Sequence, residues 1–165
     1  MVTLNSIGLK HPINMGAPSP KIICDDMNLI LLFYVDVFNL PKITDNITER
    51  DSFNDSGVAI LKFKHTHIHK FGIPNDEVII GHPYYDLGLK PYSIFSVNDS
   101  DWIKDIKRIQ AKHPYFNEQS FDDLIHYIIT FKDNTFECIA KGYDIEYSYH
   151  TMKECYEKIV SDLSI

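Results

Sequence analysis

The sequence predicts an α+β fold in a single domain, residues 1–165: a mainly antiparallel sheet of about five to six strands with two or three amphipathic helices packed on it. Three observations predict it. The 165 residues are 44% hydrophobic, enough for one core without a disulfide or metal staple. Short apolar runs alternate with turn-forming clusters, and ten Tyr and ten Phe favour pleated surfaces. Two segments, one beginning near Trp102 and one near Met152, carry apolar residues at helical spacing.

The elements follow in chain order. Residues 1–20 read as an irregular N-terminal arm ending in Gly16-Ala17-Pro18-Ser19-Pro20, where the prolines oppose helix and central strand. Lys21 to Cys24 and Leu29 to Val37 read as a hairpin turning at Asp25-Asp26, the second strand apolar on both faces and therefore central. Residues 41–57 are polar and read as a long surface loop. Val58 to Phe71 reads as one strand. Its alternation places Phe63, His65, His67, His69 and Phe71 on one face and Lys62, Lys64, Thr66, Ile68 and Lys70 on the other.

Glycine and proline punctuate residues 72–92 into a shaped loop. Tyr92 to Val97 is a short strand. Asn98 to Ser100 supplies caps for a helix with Trp102, Ile103, Ile106 and Ile109 on one stripe, ending at His113-Pro114. Ser120 and Asp123 suggest a capping box for a short helical turn. His126 to Tyr147 reads as a hairpin turning at Asp133-Asn134, with Phe131 opposite Phe136, Thr130 opposite Glu137 and a bulge at Gly142. Thr151 and Glu154 form a capping box for a last helix whose apolar face is Met152, Cys155, Tyr156, Ile159, Val160 and Leu163.

A net charge of −7 without a Lys/Arg cluster matches a nucleic-acid backbone poorly. Three cysteines, Cys24, Cys138 and Cys155, are odd in number and lack the paired spacing of a disulfide framework or zinc ribbon. No apolar run is long enough for a transmembrane helix, and the first twenty residues do not read as a signal peptide. The chain is therefore expected in the cytoplasm, away from membranes and nucleic acid, and no cofactor is implied. The oligomeric state stays open.

Two groups of residues could carry chemistry. His65, His67 and His69 recur every second residue, as paired strand histidines do at some metal sites. Three such residues span too much strand for one ion, and a carboxylate such as Glu137 would have to join them. A partly exposed strand with polar residues on its wet face is the plainer reading. The 69–92 block holds His69, Asn75, Asp76, Glu77, His82, Tyr84, Tyr85 and Tyr92, which combine directed hydrogen bonding with aromatic faces on a loop. The loop's own backbone is the competing user of those polar groups. Glu137 lies across its strand from the apolar face of Cys138.

The strings His69-Lys70-Phe71-Gly72, Pro74-Asn75-Asp76-Glu77, Gly81-His82-Pro83, Gly88-Leu89, Pro91-Tyr92, Trp102-Ile103 and His113-Pro114-Tyr115 resemble a family of small uncharacterised bacterial proteins. So do His126-Tyr127-Ile128, Phe131, Asp133 and Thr135-Phe136-Glu137-Cys138-Ile139-Ala140. The resemblance spans most of residues 10–145 and implies no activity. His69 fits its pattern, whereas His65, His67, Tyr84 and Tyr85 depart from it.

The expected function is that of a small acidic binding protein. It would recognise a protein partner or small ligand through the 69–92 loop, in an immunity-like or phage–bacteria conflict role. The expected ligand-binding residues are His69, Asn75, Asp76, Glu77, His82, Tyr84, Tyr92 and Glu137. The alternative is an acid–base or metal-assisted enzyme of hydrolase or lyase type using His82, Asp76 or Glu77, and Glu137.

Overall fold

A computed structural model describes residues 1–37 and 56–163. The first sheet contains β1 (Thr3–Ile7), β5 (Ile68–Gly72), β6 (Ile94–Asn98), β7 (Ile125–Thr130) and β8 (Thr135–Ala140), ordered β1-β6-β7-β8-β5. The second contains β2 (Lys21–Cys24), β3 (Leu29–Asp36), β4 (Ser56–Lys64) and β9 (Gly142–Ser148), ordered β2-β3-β4-β9. All strand pairs are antiparallel. Among the described residues, two α-helices, α1 (Asp101–Gln110) and α2 (Met152–Leu163), and three short 3-10 segments complete the α+β fold.

Alternation along the strands explains the layers. Leu29, Leu31, Phe33 and Val35 of β3 and Ala59, Leu61 and Phe63 of β4 meet Ile94, Tyr127, Ile129, Phe136 and Cys138 from the other sheet. Phe33 packs edge-on against Phe131 at 5.2 Å, and Phe63 stacks on Phe136 at 5.5 Å. The opposite row of the second sheet, Ile30, Leu32, Val58 and Ile60, takes Met152, Cys155 and Ile159 of α2. Tyr156 and Val160, expected on that face, are instead exposed. The outer face of the five-stranded sheet lies under residues 76–89 on one side and α1 on the other.

The structure corrects several sequence expectations. One sheet becomes two. The N-terminal arm is not wholly irregular, because Val2 and Leu4 pack with Phe95 and Val97 and β1 pairs with β6. The 58–71 strand breaks where His65 adopts a φ of 50°, so β4 and β5 belong to different sheets. The hairpin shifts by two residues: Thr130 faces Thr135 and Glu137 faces Ile128, around a four-residue connection in which Phe131 N–H donates to Asn134 O at 2.9 Å. A two-residue shift preserves the faces and releases Phe131 to pack on Phe33. At Lys141 the chain crosses to the second sheet, so Gly142 starts β9 rather than bulging a continuous strand. Asn117, not Ser120, caps the 3-10 segment Glu118–Phe121. Of the expected 41–57 loop, residues 41–55 lie outside the described residues, and Ser56 and Gly57 are in β4.

Candidate functional site: a buried carboxylate under the 72–92 loop

Glu137 sits mid-strand in β8 and points to the outer face of the five-stranded sheet, where it is 7% exposed. A buried carboxylate needs hydrogen bonds and charge partners, and the surrounding elements supply them. His126, from β7, places Nε2 2.8 Å from Oε2. His82, from the loop, places Nε2 3.5 Å from Oε1. Lys70, across the β5–β8 ladder, places Nζ 3.0 Å from Oε1 and 4.3 Å from the centre of the Trp102 ring. Burial alone pushes the Glu137 carboxyl up, toward its neutral form. The His126 and His82 hydrogen bonds and the Lys70 ammonium outweigh it and hold the carboxyl well below its usual range.

Hydrogen-bond partners settle the imidazole tautomers. The Tyr84 N–H donates to His82 Nδ1 at 3.2 Å, so the His82 ring proton is on Nε2, facing Glu137. Ser100 Oγ lies 2.8 Å from His126 Nδ1 and also accepts from Ile103 N–H at 3.3 Å. The Glu137 carboxylate can only accept, so it takes Nε2–H of His126, and in that neutral tautomer Nδ1 accepts the Ser100 hydroxyl proton. Ser100 and His126 are 2% and 1% exposed. The rings of Tyr84 and Trp102 flank His126 at 6.0 and 5.1 Å. Burial, then the charges of Asp101 and Glu137, raise the Tyr84 phenol above its ordinary value, while a hydrogen bond with Ser100 acts against them.

The expected site residues therefore divide. His82, Tyr84 and Glu137 come together. Asp76 and Tyr92 join each other instead: Tyr92 Oη donates to Asp76 Oδ2 at 2.6 Å, and burial followed by that bond pushes the phenol up to about 12. Asn75 is a cap, accepting from Val78 N–H at 3.1 Å. Glu77 is exposed. His69 is on the opposite face of β5, stacked on Phe136, and Lys70 takes the place beside Glu137 expected of a site residue. His126, Ser100, Lys70 and Trp102 were not anticipated as site residues.

The histidine series does not converge either. His65 lies in the left-handed region between two strands, His67 is exposed, and His69 faces away from Glu137. Among the described residues, no group of three His, Cys, Asp or Glu is arranged to hold a metal. His82 also has its Nδ1 committed as an acceptor, which keeps a proton on the nitrogen that would otherwise reach a metal beside Glu137.

The loop above this cluster is tied at several points. Thr130 Oγ1 donates to Lys90 O at 2.6 Å, Thr135 Oγ1 to Pro74 O at 2.9 Å, and Asp76 N–H to Lys132 O at 2.8 Å. Ile79 and Leu89 anchor it in the core. Its outward residues are strongly apolar: Ile73, Val78, Ile80 and Leu87 are 94, 55, 69 and 46% exposed. Glu77 and Asp86 of the same loop are exposed as well.

No family model, curated protein or solved structure matches this chain. No helix among the described residues is long and apolar enough to cross a membrane.

Proposed function

We propose that the protein binds a protein partner through the outward face of residues 72–92, and that the partner presents apolar side chains among basic ones. The observation that carries this reading is the exposure of Ile73, Val78, Ile80 and Leu87 on a loop fastened to the sheet. Apolar side chains left in water on a pinned backbone mark interaction sites, and pinning lowers the ordering cost of association. Glu77, Asp86 and the net charge of −7 favour a basic partner over a second acidic copy.

The acid–base reading draws support from the meeting of His82 with Glu137. It is weakened by Asp76, which is bonded to Tyr92, and by Glu77, which is exposed.

Selection of short randomised peptides on the immobilised protein tests the binding reading. Selected sequences should be rich in Lys or Arg with interspersed aliphatic or aromatic residues. Their affinity should fall about tenfold or more on Ile80→Asp, the loss of one apolar anchor, and stay unchanged on Ile109→Asp, on the distant end of α1. Equal binding to wild type and Ile80→Asp would refute it.

A further inference from the structure

We propose that Ser100 is the nucleophile of a second functional centre, distinct from the loop surface though it shares Glu137 with the loop's support, that hydrolyses carboxylic esters with a small apolar acyl group. Ser100, His126 and Glu137 form a continuous chain: hydroxyl to Nδ1 at 2.8 Å, then Nε2 to carboxylate at 2.8 Å. Glu137 fixes the imidazole proton on Nε2, which leaves the Nδ1 lone pair facing the serine hydroxyl. Those are the roles of base and orienting carboxylate that activate a serine in acyl transfer. Lys70 and His82 hold Glu137 ionised within the sheet.

The backbone setting points the same way. Ser100 stands in a strand–turn–helix junction between β6 and α1, directly after Asp99, whose φ is 55°. A nucleophile on a sharp turn before a helix is presented with first-turn N–H groups beside it. Ile103 N–H binds Ser100 Oγ itself, while the N–H groups of Asp101 and Trp102 lie in that first turn, the position of oxyanion donors. A surface cavity of about 300 Å³ adjoins the junction, with Ser100, Val97, Ile103, Phe121 and Leu124 in its lining. Lys104 and Lys107 also line it, but Lys104 pairs with Asp99 and Asp101 and Lys107 with Glu118. The rest of the lining combines Val97, Ile103, Phe121, Leu124 and Ile125 with Asn98 and Asp99, and its apolar side chains favour an uncharged, compact acyl group.

The reaction balances without a cofactor. Ser100 Oγ attacks the ester carbonyl as its proton passes to His126 Nδ1. The tetrahedral intermediate collapses, the C–O bond to the alcohol breaks, and the alcohol leaves with that proton. Water then attacks the acyl-serine and gives a proton to His126 Nδ1; the acyl C–Oγ bond breaks, His126 returns that proton to Ser100 Oγ, and the acid leaves. The sum is ester plus water giving acid plus alcohol.

The test treats the full chain with diisopropyl fluorophosphate, locates any adduct by peptide mass spectrometry, and follows p-nitrophenyl acetate turnover. The expected result is a phosphoryl adduct on Ser100 and turnover that Ser100→Asn abolishes. Asparagine is an equally good helix cap, so α1 is retained, and near-ultraviolet circular dichroism of Trp102 checks it. Glu137→Gln should lower labelling about a hundredfold, the scale of a lost acid–base partner. If folded wild-type protein carries no adduct on Ser100, or if Ser100→Asn folds and still turns over the ester, the proposal is overturned. Should Ser100→Asn fail to fold, the wild-type adduct decides alone.

Discussion

Among the described residues Glu137 is the one buried carboxylate, and at 7% exposure its charge must be compensated by its neighbours. Its depressed folded value has a definite consequence for pH. The stability it contributes is fully present above its ordinary value near 4.5 and is lost as pH falls below that toward the lower folded value. Glu137→Gln should therefore unfold at lower urea concentration at neutral pH and lose less stability than wild type on acidification below pH 4.5. Equal acid sensitivity of the two proteins would show that the compensation is absent. Glu137→Ala should cost about 3–5 kcal/mol in urea unfolding at neutral pH, the range for breaking one side of a buried pair. At this scale the sequence revealed part of the cluster. His82 and Glu137 stood out as polar groups beside loop or sheet signals. Lys70 did not, because strand alternation only set it on the face opposite the histidines, and the sequence cannot say that β5 lies beside β8. Ser100 read only as a cap, and His126 only as the first residue of an apolar strand.

The helices and hairpins show where local signals suffice. The α2 capping box forms as its sequence indicates: Thr151 N–H and Oγ1 donate to Glu154 Oε2 at 2.7 and 2.9 Å, and Glu154 N–H donates to Thr151 Oγ1 at 3.2 Å. Thr151→Ala should lower stability by about 1 kcal/mol in chemical denaturation, and an unchanged midpoint would contradict the cap. Ser100 likewise caps α1 through Ile103 N–H. The β7–β8 hairpin illustrates the opposite case. Its faces follow from alternation, but its register is decided by Phe131, which leaves the ladder to meet a phenylalanine of the other sheet. No local turn rule contains that contact. The loop behaves as an element of its own. Tyr92→Phe removes the bond to Asp76 and should cost about 1–2 kcal/mol, read as faster amide exchange at Asp76, whose N–H is held by Lys132 O. Unchanged exchange there would separate the Tyr92 bond from loop stability.

At the scale of the whole molecule, the α+β class and antiparallel pairing were legible from composition and periodicity. The division into two sheets was not. It depends on breaks at His65 and at Lys141, neither of which carries a strong turn signal, and on pairings between distant segments such as β1 with β6. Those breaks set the outer face of the five-stranded sheet apart as a platform. The platform holds a buried polar cluster beneath and an apolar, acidic loop above, so the chemistry that shapes the loop is separate from the side chains it displays. The central claim is that Glu137 and its two histidines hold the loop in the form that presents this surface. Amide hydrogen exchange of Glu137→Gln tests it most directly. The account predicts exchange about tenfold faster or more at Val78 and Tyr84, equal to at least about 1.4 kcal/mol of lost local stability, with β3 and β4 amides unchanged. Wild-type protection at Val78 and Tyr84 in that variant would contradict it.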